Sequence, residues 1–142
     1  DGTIVEYRVF PENFVTTETK EVFLNAEPLE VVLKNLEKIN EIENLDVYIL
    51  SLARSFIIVE EKKQWLKKYA PFIREENYIL LNKENGDYNA ENREFIKSIK
   101  MMEKLNEYDY VILLDDDHKI LKRTLNEVGK NGEVFHVSSA TM

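Results

Sequence analysis

Short apolar runs alternate along this chain with stretches in which apolar residues recur every three or four positions. Leu45-Asp46-Val47-Tyr48-Ile49-Leu50-Ser51, Asn77-Tyr78-Ile79-Leu80-Leu81-Asn82, Tyr110-Val111-Ile112-Leu113-Leu114 and Glu133-Val134-Phe135-His136-Val137-Ser138 have the length and β-branched or aromatic content of strands. Between them, Leu29, Val32, Leu33, Leu36 and Ile39 fall at helical spacing behind Pro28, which suits a helix start. Glu60–Tyr69 predicts a second helix, stopped by Pro71. Asn89–Asn106 predicts the longest helix, with Phe95, Ile96, Ile99, Met102 and Leu105 on one face. Ile120, Leu121, Leu125 and Val128 mark a last helix, ending near Gly129 or Gly132. Helix and strand therefore alternate four times. That order predicts an α/β fold of the Rossmann-like kind, a three-layer sandwich with a mostly parallel sheet joined by right-handed crossovers.

Residues 6–27 break the rhythm. They mix Tyr7, Val9, Phe10 and Phe14 with Pro11 and a β-branched polar stretch, and they predict a flap or small insertion with no room for a large cap. With 142 residues and no linker or repeat, the chain reads as one domain over 1–142.

Composition narrows the function. Hydrophobic residues make up 44% and charged residues 32%, ordinary for a globular protein. There are no cysteines, which excludes disulfides, thiolate metal sites and cysteine nucleophiles and suits a cytoplasmic protein. The net charge of -8 disfavours broad contact with a nucleic-acid backbone. No apolar run approaches the roughly 20 residues of a membrane span.

The chemistry-bearing stretch is the apolar run that meets Asp115-Asp116-Asp117-His118. An unalternating apolar run suits a strand buried on both faces, and ligands of parallel sheets bind beyond the carboxyl ends of the strands. Adjacent carboxylates repel one another, and a hard divalent cation such as Mg2+ relieves that. A solvated acidic turn is the plainer reading of the same residues. The other strand ends offer Ser51 and Asn82 or Lys83. Carboxylates for Mg2+, with a hydroxyl and an ammonium for phosphate oxygens, compose a phosphate site. The lysines of the second helix, Lys62, Lys63, Lys67 and Lys68, read as a solvated face.

Taken together, these motifs resemble the haloacid dehalogenase-like (HAD-like) phosphohydrolases. Asp1-Gly2-Thr3 resembles the second half of their Asp-x-Asp-Gly-Thr signature, the strand ending at Ser51 their second motif, and the strand ending Asp115-Asp116 their fourth. The run Glu61-Lys62-Lys63-x-Trp65-Leu66 is similar to the deoxyribonucleotidase-like branch. The resemblance implies Mg2+-dependent phosphomonoester hydrolysis through an aspartyl-phosphate, with a small phosphorylated substrate such as a nucleoside monophosphate. It implies Asp1 as general acid/base, Thr3 as its support, Ser51 as a phosphate ligand, and Asp115 and Asp116 as Mg2+ ligands. It implies Lys97 as the phosphate-site lysine, with Lys83 as runner-up.

The family's nucleophilic aspartate and first apolar strand would precede Asp1, so both are expected upstream. A different residue at the nucleophile position would make the protein a non-catalytic binding or regulatory module of the same fold. A response-regulator-like α/β domain also gathers acids for Mg2+, but the Asp-Gly-Thr opening and the late acidic strand fit it poorly. Oligomeric state stays open.

Overall fold

The computed structural model describes residues 5–6, 27–115, 122–124 and 129–136, and within them the chain is a mixed α/β protein with parallel strand pairs. It divides into two compact units, Asp1–Asn85 and Gly86–Met142.

In the first unit, β1 (Val5–Glu6) pairs antiparallel with β2 (Glu27–Pro28). The two ends of the expected flap therefore close on each other, while residues 7–26 lie outside the described part. Pro28 belongs to this pairing rather than to the helix, which starts two residues later. Helix α1 (Glu30–Asn40) buries Val32 and Leu33. The turn after α1 contains Asn44 at φ 63°, a left-handed conformation that asparagine tolerates better than most residues.

A β-α-β unit follows. Strand β3 (Ile49–Ala53) and strand β4 (Tyr78–Asn82) run parallel, in register from Ile49 opposite Tyr78 to Ala53 opposite Asn82. Helix α2 (Phe56–Tyr69) connects them, as parallel strands require. It begins four residues before the expected Glu60. Ile57, Ile58 and Val59 are weak helix formers, but the Ser55 hydroxyl accepts the Ile58 N–H at 3.4 Å and caps the helix. The bond is long, so Ser55→Ala should lower stability by only about 0.5–1 kcal/mol, read from the midpoint of urea unfolding.

The core of this unit packs Leu33 of α1 against Trp65, Leu66, Ala70 and Ile73. Trp65 and Tyr69 pack ring to ring at 4.9 Å. Asn40 donates to the Phe72 carbonyl and Asn77 to the Val47 carbonyl, each at 3.1 Å, so two loops are tied to the elements that flank the sheet.

In the second unit, α3 (Ile96–Lys104) packs against β5 (Val111–Asp115), and β5 pairs parallel with β6 (Gly132–His136). The helix is shorter than the Asn89–Asn106 pattern predicts, and α2 is longer. Asn92 Oδ1 accepts the Asn89 N–H, and Asn89 Oδ1 accepts those of Glu91 and Asn92. These side chains satisfy amides that a helix would otherwise need, and they hold residues 89–92 as a turn. Residues 122–124 are helical, within the stretch expected to form the last helix. The expectation that β5 is buried on both faces is corrected: Leu113 and Asp115 are buried, but Ile112, and Phe135 on β6, are exposed.

The two parallel pairs are separate two-stranded sheets, so the described residues show the α/β class without a full three-layer sandwich. No described helix is long and apolar enough to cross a membrane.

Candidate functional site

Asp115 is the last residue of β5, and Lys97 is the second residue of α3. Packing of the helix on the strand brings them together: Lys97 Nζ donates to Asp115 Oδ2 at 2.6 Å. Their side chains are only 9% and 5% exposed. A charge-assisted bond this short between two groups removed from water is held by its surroundings, because neither charge could stay there alone.

Further contacts anchor the start of α3, on which Lys97 lies. Ser98, fully buried beside Lys97, donates its hydroxyl to the Phe95 carbonyl at 2.8 Å. Phe95 is the residue from which α3 springs, and the Arg123 guanidinium lies over its ring, 4.7 Å from the centroid. Thr124, next to Arg123, is fully buried. At the opposite end of β5, just before Val111, the Tyr110 hydroxyl is held above its usual range by desolvation, then by the hydrogen bond and charge of Glu133.

The other sequence-derived candidates fall differently. Ser51 is not a strand-end residue: β3 continues through Leu52 to Ala53, and Ser51 is buried at its centre. Its Oγ accepts from Lys62 Nζ at 2.8 Å, and Lys62 also donates to the Leu52 carbonyl at 2.6 Å. Lys62 is thus buried and does not join a solvated lysine face. Lys83 is exposed and contributes its backbone N–H to the Ala53 carbonyl. Asp1, Thr3 and Asp116 lie outside the described residues.

Two features of the site were not expected from the sequence. The burial of Lys62 had a signal, because it precedes Trp65 and Leu66 by three and four positions and so shares their inward face. The Arg123–Phe95 contact had none, since the two residues lie far apart in sequence.

Among the described residues, no group of three or more His, Cys, Asp or Glu side chains is placed to hold a metal ion. Asp115 supplies hard carboxylate oxygen, the donor that Mg2+ prefers. A carboxylate can take up to about four contacts, so an ammonium at Oδ2 is compatible with a cation on the same group. The donor type of Asp115 is therefore compatible with Mg2+, and the described residues show no fuller ligand set. Comparison with known proteins gave no match to any family model, curated protein or solved structure.

Proposed function

We propose that the protein is a Mg2+-dependent phosphomonoester hydrolase of the HAD-like kind, working through an aspartyl-phosphate on small phosphorylated substrates such as nucleoside monophosphates. The observation that carries this reading is the buried Lys97–Asp115 contact at the carboxyl end of β5. A strand-end carboxylate for the cation and an ammonium for phosphate oxygens are the two charges that phosphoryl transfer needs close together.

Asp115, with Asp116 after it, would hold Mg2+. The cation supplies charge that offsets the negative oxygens of the phosphoryl group. Lys97 orients the Asp115 carboxylate and places a positive charge beside it. Asp1, as general acid, gives a proton to the leaving alkoxide, and as base it then takes one from the attacking water. The roles of Asp1, Thr3 and Ser51 rest on the resemblance alone.

Burial of the pair favours a second reading, a binding module that keeps the ion pair for structure and performs no chemistry. Hydrolysis of an aryl phosphate by the purified full protein, with and without Mg2+, separates the two. Turnover that requires Mg2+ is expected. Mg2+ binding by calorimetry with no turnover on the aryl phosphate or on a panel of nucleoside monophosphates would leave the binding module.

A further inference from the structure

Alternation along β5 sorts its side chains between two faces. Leu113 and Asp115 are buried on the face that meets α3, where Asp115 binds Lys97. Ile112 and Leu114 therefore point the other way, and Tyr110, just before the strand, continues the alternation. In the parallel register Ile112 lies opposite Glu133 and Leu114 opposite Phe135, so those two residues of β6 share the second face. The hydrogen bond between Tyr110 and Glu133 spans the two strands there. This face is apolar yet open: Tyr110 is 46% exposed, Ile112 56% and Phe135 41%. Parallel strands are normally covered on both faces.

We propose that the face formed by Tyr110, Ile112 and Phe135 is a docking surface for a cationic amphipathic helix of a partner protein. Shape argues for a single helix. β5 and β6 are each five residues long. Two neighbouring strands lie about 4.8 Å apart, so one helix, about 10–12 Å across, covers the pair. Five strand residues extend about 16 Å, which about 11 helical residues span. Charge selects which helix. Glu133 stands within the apolar face, and Asp109 is exposed at its amino end. A lysine or arginine at one end of the helix's apolar stripe meets both. A second copy of this chain fits less well. Each copy carries a net charge of -8, and an isologous contact on so small a patch brings the two Glu133 carboxylates together.

The probe is a fluorescent synthetic helix of about 14 residues, leucine on one face and lysine on the other, titrated into the full protein and read by anisotropy. One control peptide scatters the same leucines around the helix, and another replaces lysine by glutamate. The amphipathic lysine peptide should bind, and both controls should bind at least about 10-fold more weakly. Ile112→Thr and Phe135→Thr keep a strand-forming residue and change no charge. Each should weaken binding at least about 5-fold, the loss that marks an energetically important interface residue. Glu133→Gln should weaken it about 2- to 5-fold and flatten its salt dependence. Glu37→Gln, at an exposed acid of α1, should leave it unchanged. Urea midpoints of all four variants should stay near wild type, because the positions are exposed.

Equal losses in Glu37→Gln and Glu133→Gln, with none in the apolar variants, would mean bulk charge attraction and overturn the proposal. A wild-type protein that binds no peptide would overturn it too. A dimer in sedimentation velocity that Ile112→Thr converts to monomer would give the face to a second copy instead. A large fall in the urea midpoint of Ile112→Thr would show that the chain itself covers the face, which also overturns the proposal. Phosphate hydrolysis is untouched by any of these outcomes.

Discussion

Lys97→Met should destabilise the protein by about 3–5 kcal/mol, the usual cost of breaking a buried ion pair by removing one partner. The reason lies less in the lost attraction than in what remains. Asp115 is buried at the end of β5, and its Oδ2 receives the ammonium at 2.6 Å. Methionine matches the length of the lysine stem and keeps its packing, so the substitution isolates the charge. The carboxylate is then left largely out of water without its cation. Lys97→Met combined with Asp115→Leu should recover part of the loss, because replacing both charges by apolar groups leaves neither charge buried without the other. Urea unfolding of the wild type, both single variants and the double variant closes the cycle. A Lys97→Met cost below about 1 kcal/mol, the range of exposed pairs, would show that the pair is solvated in solution.

The strands were legible because they are short, apolar and bounded by polar residues. β3, β4 and β5 each overlap the predicted runs, though β3 begins and ends later than its run. Helix starts were harder, since they turn on single side chains. Ser55 draws α2 back through three β-branched residues, and Asn89 with Asn92 withholds a turn from α3. Periodicity records which face a residue occupies and is blind to a hydrogen bond that caps or competes with the helix. Pairing was legible only as a class. Alternation implied parallel neighbours, but the registers of β3 with β4 and β5 with β6 depend on contacts across the chain.

The site was legible to a different depth in its different parts. Lys97 and Asp115 stood out by residue type, yet their contact follows from how α3 lies on β5, which no local pattern encodes. Lys62 shows the opposite failure. Its charge suggested solvent, but its position on the Trp65–Leu66 face is the stronger fact, because Ser51 and the Leu52 carbonyl accept its protons in the interior. The same contact moves Ser51 from an open strand end to the middle of β3.

Asp115→Asn should reduce Mg2+-dependent hydrolysis of an aryl phosphate by at least about 100-fold. Groups that merely orient a metal ligand are worth about 10- to 100-fold in affinity or activity, and a direct carboxylate ligand should be worth no less. Asparagine preserves the size and planarity of the side chain and keeps one carbonyl oxygen for Lys97, so the strand end keeps its shape. What disappears is the negative charge that would bind the cation. The same change weakens the bond to Lys97, so the loss must be separated from unfolding. Activity and the urea midpoint are therefore measured on the same preparation, below the variant's transition. Raising Mg2+ should recover part of the rate if the defect is affinity, whereas added cation cannot repair a collapsed fold. Full activity in a folded Asp115→Asn protein would remove Asp115 from the metal site and leave the Lys97–Asp115 pair as a structural tie between α3 and β5.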